Sequence, residues 1–108
     1  MTWMLNINNA AADLRDELRH IGYDANTPTL KHEFRACIYI ETHDAHGTII
    51  LNSWNHGATI KLTIHGAPDG ENSVIEHLPV LPYKRNDYGP WIQNTAAYIQ
   101  GIVDGCTM

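Results

Sequence analysis

Between positions 34 and 65, apolar and polar residues alternate with a period of two, and this limits the fold more than any other feature of the chain. Phe34, Ala36, Ile38 and Ile40 fall on one side of an extended chain, and Arg35, Cys37, Tyr39 and Glu41 on the other. After a run from Thr48 to Trp54 rich in Ile and Leu, Ala58, Ile60, Leu62 and Ile64 alternate with Thr59, Lys61, Thr63 and His65. A period of two marks strands with one buried face. The separators, "HDAHG" and "NHG", are short and end in glycine, so consecutive strands are expected to be joined by hairpins. In the first separator Asp44 is expected to bond the local backbone and Gly47 to take a positive φ. A looser segment, "GAPDGEN", precedes a fourth expected strand from Ser73 to Leu81. Pro79 lies within it, and proline cannot donate to a ladder, so this strand belongs at an edge or ends early.

Helical spacing flanks the strands. Residues 8–22 carry Ala11, Leu14, Leu18 and Ile21 on one stripe, with Asn8 or Asn9 to cap the start and Gly22 as the left-handed stop. Residues 90–103 carry Trp91, Thr95, Tyr98, Ile99 and Ile102, with Pro90 in the first turn and Gly105 just past the end. Residues 23–32 read as a connection. Trp54 and Trp91 are expected in the core and Trp3 partly exposed. The expected architecture is α+β: a four-stranded antiparallel meander with N- and C-terminal helices packed on one face, in the order α-β-β-β-β-α. At 108 residues it is a single domain, residues 1–108.

In a meander, alternate turns share one end of the sheet. His43, Asp44 and His46 are therefore expected near His65 and Asp69, while His32, Glu33 and His56 gather at the other end. His43, His46 and His65 are the right residue types for a metal site, with a polar turn as the simpler reading. Cys37 and His65 share a face but have a strand between them, so no thiol–imidazole pair is expected. Cys37 and Cys106 lack metal-type spacing and are read as free thiols. No nucleophile-elbow or phosphate-cradling motif occurs. The sequence thus predicts no enzyme and no cofactor.

Charge narrows the partners. The net charge is -5, and the seven basic residues, Arg15, Arg19, Lys31, Arg35, Lys61, Lys84 and Arg85, are scattered. Direct nucleic-acid binding is disfavoured on these grounds. The N-terminus has no basic n-region with a following apolar run, and no stretch reaches the length of a membrane span, so a cytoplasmic protein without membrane contact is expected.

The order helix, strands, helix is similar to that of double-stranded-RNA-binding domains in topology alone. The start of the last helix reads "NDYGPWIQ", without the lysine cluster of that family, and a fourth strand is added. No family is assigned.

The function expected is a small acidic binding module that docks on another protein, itself in some cases part of a nucleic-acid-binding complex. In kind it resembles the small inhibitors with which phages and mobile elements block host systems, or toxin-neutralising immunity proteins. Three surfaces are candidates for docking: Asp13, Asp16 and Glu17 on the first helix; Arg35, Tyr39, Glu41 and Lys61 on the outward sheet face; and Tyr83, Lys84, Arg85 and Tyr88 in the loop before the last helix. The alternatives are a metal-binding module or metal-assisted enzyme using His43, His46 and His65, and a weak nucleic-acid binder using Lys84, Arg85, Lys61 and Arg35. A short last strand would leave an open edge through which a second copy can pair.

Overall fold

A computed structural model describes residues 3–28, 32–65 and 73–107, the side chains of residues 106 and 107 excepted. Helix α1 (Ile7–His20) opens on Asn6, whose side-chain oxygen accepts from the backbone N–H groups of Asn8 and Asn9 at 3.0 and 3.1 Å. The cap is therefore Asn6 rather than Asn8 or Asn9. The helix stops at Gly22, as expected from the sequence, with φ of 105°. There the N–H of Tyr23 bonds to Leu18 O and that of Gly22 to Arg19 O, closing the last turn.

Five strands follow rather than four: β1 (Asp24–Asn26), β2 (Arg35–Glu41), β3 (Ala45–Asn52), β4 (Gly57–Ile64) and β5 (Ser73–His77). They pair in chain order, every pair antiparallel. The added strand, β1, lies in the segment expected to be a plain connection. Three residues are too few to show a period. Arg19 fixes them from α1, with Nε on Ala25 O at 2.6 Å and a second nitrogen on Asn26 Oδ1 at 3.0 Å.

The first hairpin also differs from expectation. Ala45, His46 and Gly47 belong to β3, so the reversal is made by 42–44 alone. Thr42, not Asp44, ties it, its hydroxyl oxygen accepting from Ala45 N at 3.1 Å. Gly47 is not in the left-handed region. It is needed for close approach: a Cβ there would stand 2.7 Å from Lys61 O. Strand β5 stops at His77, before Pro79, so the proline lies outside the ladder. The "GAPDGEN" turn, with Asp69 and Glu71, lies outside the described residues, as does Lys31.

After a 3-10 turn (Arg85–Asp87), helix α2 (Tyr88–Thr107) runs on past Gly105. Its buried side chains are Trp91, Ile92, Thr95, Ala96, Ile99 and Val103, while Tyr98 faces water. Helix α1 packs on β1, β2 and β3, α2 packs on β4, and the helices touch each other. The core is one cluster of helix side chains with Ala36, Ile38 and Ile40, Ile49 and Leu51, and Ala58, Ile60 and Leu62. Among the described residues no helix covers the other face of the sheet. The described residues contain no helix long and apolar enough to cross a membrane.

Candidate functional site

The meander brings the start of β2 and the β3–β4 turn to the same end of the sheet, and an aromatic cleft forms there. Ser53 N and Oγ both donate to Phe34 O, at 2.9 and 3.3 Å, which locks the turn onto the chain entering β2. Two asparagines shape the turn: Asn52 Oδ1 accepts from Trp54 N and Asn55 Oδ1 from Gly57 N, each at 2.9 Å. Such local bonds compete with ladder formation and end the strand. Trp54 is thereby carried beyond the sheet and is 79% exposed, not buried as expected. Its ring meets Phe34 edge to face, centroids 5.6 Å apart.

His56 holds the opposite wall. It adopts a positive φ of 53°, the only described non-glycine residue to do so. Its carbonyl accepts from Leu81 N at 3.0 Å, its Nδ1 lies 3.2 Å from Leu81 O, and its ring stacks on Tyr83 at 3.7 Å. The loop carrying Tyr83 is pinned to α2 by Trp91 Nε1, which donates to Pro79 O at 3.0 Å. Trp3 and Met4, just ahead of α1, close the third side. The cleft measures about 760 Å³ and, among the described residues, one carboxylate, that of Glu33, lines it. Trp3, Met4, Leu5 and Asn6 also border a second hollow of about 310 Å³, lined by Asp13, Arg85 and Tyr88. Trp3 meets Tyr88 edge to face across this junction, centroids 6.1 Å apart.

The structure gathers some of the expected site residues and disperses others. Tyr83, Lys84 and Arg85 are exposed on the loop, and Tyr88 with Asp13 joins that loop to α1. Two of the three expected surfaces are thus continuous. The acids of α1 are less available than their spacing suggested. Asp13 accepts a hydrogen bond from the Tyr88 hydroxyl, Asp16 pairs with Arg15 Nε at 3.0 Å, and Glu17 is half-buried. Burial, and then the Asp13 hydrogen bond and charge, push the Tyr88 phenol well above the ordinary tyrosine range. Arg35, Tyr39, Glu41 and Lys61 lie on the bare sheet face as expected, away from the helices. The basic residues Lys61 and Arg35 are therefore on the sheet, and Lys84 and Arg85 on the loop.

At the other end of the sheet His46 and His65 do meet, Nδ1 of the first lying 2.8 Å from Nε2 of the second. His43 joins them through its carbonyl, 3.4 Å from His65 Nδ1. Among the described residues no group of three His, Cys, Asp or Glu side chains converges on a metal position. Cys37 is a half-buried free thiol on the bare face, with β3 between it and His65.

Trp54, Phe34, Met4 and His56 were not among the residues singled out from the sequence as binding residues. The signal was present in "NSWNHG". Asparagines at both ends of a short link mark an Asx-bonded turn, and an aromatic within such a turn stands outside both sheet faces.

No family model, curated protein or solved structure matches this chain.

Proposed function

We propose that the chain is a small, acidic, non-enzymatic protein-binding module, an inhibitor or regulator that docks on another protein through the aromatic cleft. One observation carries this reading: Met4, Phe34, Trp54 and Tyr83, all large and exposed, converge on one supported cleft. Scattered apolar residues on a surface need no explanation, whereas a contiguous patch marks an interaction site. Tryptophan and tyrosine are the residues that most often dominate binding energy at protein interfaces. Hydrogen bonds around His56 and Ser53 hold the walls in place, which lowers the entropy lost on docking. The occupant is a basic segment of a partner protein that presents an apolar side chain to the cleft. Net charge of -5 steers such a partner inward, and Glu33 inside the cleft favours a cation there.

The test is affinity capture from the encoding organism, comparing the natural chain with a Trp54→Ala/Tyr83→Ala variant, followed by titration of the purified partner. The natural chain is expected to retain a stoichiometric basic protein, and the variant to bind it more than about tenfold more weakly. Capture that is equal for both chains, or absent for both, overturns the reading. A second reading, a metal-binding module, has the His46–His65 contact in its favour.

A further inference from the structure

The two edges of the sheet are unlike. Strand β1 is three residues long and protected by its shortness. Strand β5 is five residues long, pairs with β4 on one side, and has no lysine, proline or glycine to blunt the other. Ile75 at its centre is 71% exposed.

The hydrogen-bond phase of this edge follows from one bond. Leu78 N donates to Ala58 O at 2.8 Å, in the same register that sets Thr59 against His77. In an antiparallel ladder, bonded and non-bonded pairs alternate. Glu76 and Val74 therefore spend their backbone groups on Ile60 and Leu62. Ser73, Ile75 and His77 turn their N–H and C=O groups outward, away from β4.

We infer that β5 pairs antiparallel with β5 of a second copy about a two-fold axis at Ile75, joining two sheets into one. This register uses the whole outward edge. Ile75 meets the partner's Ile75, and Ser73 meets the partner's His77 in both directions. Each pair exchanges both of its N–H···O bonds. The side chains agree with the backbone. The two Ile75 side chains cover each other on the bare face, where the Ser73 hydroxyl, 3.3 Å from Thr63 Oγ1, shares its side of the sheet with the partner's His77. On the helix side the exposed Glu76 stands against the partner's Val74. Moving the axis one residue, to Glu76, sets two carboxylates face to face. It also brings Pro79, which has no N–H, opposite Ser73. Moving it the other way, to Val74, sets His77 opposite position 71, outside the strand, so only the Ile75 register pairs all three outward residues, and an isologous contact of this kind closes as a dimer. The inference is independent of the aromatic cleft.

Sedimentation equilibrium over a concentration series up to about 1 mM reads the mass directly, a range that captures even a weak dimer. The natural chain is expected to reach twice the chain mass. Ile75→Lys, at a position already facing water, is expected to remain folded by circular dichroism and monomeric throughout. Trp54→Ala is expected to dimerise as the natural chain does. Hydrogen exchange at the Ser73, Ile75 and His77 amides is expected to slow with concentration in the natural chain alone. A natural chain that stays monomeric at the highest concentration, or an Ile75→Lys variant that still dimerises, overturns the inference.

Discussion

The Tyr88 hydroxyl donates to the Asp13 carboxylate, tying the first residue of α2 to the second turn of α1. The bond closes the helical layer at its cleft end and occupies one of the exposed acids of α1. Removing it with Tyr88→Phe keeps the ring against Trp3 and deletes only the donor. The expected loss is about 1–2 kcal/mol, at and below the lower end for a hydrogen bond to a charged group because water screens this exposed pair. Thermal unfolding followed by circular dichroism should show a midpoint lower by several degrees.

The same bond carries a pH signature. The Tyr88 phenol is raised by burial first and by Asp13 second, so the folded state favours its neutral form. For a raised group, the stability it contributes is fully present below the unfolded value, near pH 10, and is lost as pH climbs through the folded one. Resistance of the natural chain to urea should therefore hold up to about pH 10, as far as Tyr88 governs it, and fall above that. Tyr23 is also raised, by burial and then by Asp104, and adds to the same slope. Tyr88→Phe should flatten the slope without abolishing it. An unchanged slope would mean that the fold does not hold the Tyr88 phenol in its neutral form.

Thr95 is fully buried, and its hydroxyl has no hydrogen-bond partner among the described residues. An unpaired buried hydroxyl costs about 1–3 kcal/mol, and valine has nearly the same shape. Thr95→Val is expected to raise stability by about 1 kcal/mol, measured as a shift in urea midpoint at constant slope. A loss of stability would mean that the hydroxyl has a partner.

Legibility in the sequence followed burial. Ile38, Ile49 and Ile60 lie side by side in the ladder because each strand had one covered face, and the period of two records that constraint. The meander then placed His46 beside His65 without further information. Strand β1 had no such record: Ala25 is its one buried residue, and Arg19 anchors it from another element. Trp54 was misplaced for a related reason. A large apolar residue ending an apolar run reads as core, and only the bonds from Asn52 and Asn55 show that the strand has already ended. The cleft joins segments from four parts of the chain, so no local pattern announces it. Asp13, Asp16 and Glu17 share a helix face, as their spacing indicates, but spacing says nothing about Arg15 and Tyr88 arriving to occupy two of them.

Trp54 should separate binding from stability. It is mostly in water and touches Phe34 by one edge-to-face contact, so Trp54→Ala should cost less than about 1 kcal/mol of folding stability. Truncating a hot-spot tryptophan costs about 2 kcal/mol or more in partner binding, roughly thirtyfold in Kd. Measuring both quantities on one preparation distinguishes a docking residue from a supporting one. Equal losses in the two would assign Trp54 to the fold.

The histidine pair decides between the two functional readings. A tetrahedral ion held about 2.0–2.1 Å from each nitrogen needs the two nitrogens about 3.3 Å apart. His46 Nδ1 and His65 Nε2 stand at 2.8 Å, the separation of a hydrogen bond with one proton between them. Binding would require the rings to part by about half an ångström and a third ligand to arrive, since His43 presents its carbonyl to His65. The expected outcome is that chain purified without a histidine tag carries no stoichiometric metal, and that chelator leaves its melting temperature unchanged. Bound metal removed by chelator, with a melting temperature that falls several degrees and is restored by zinc, would transfer the assignment from the aromatic cleft to this pair. His46→Gln then serves as the control, because losing one of the two imidazoles should abolish the chelator effect while leaving the cleft at the opposite end of the sheet unaltered.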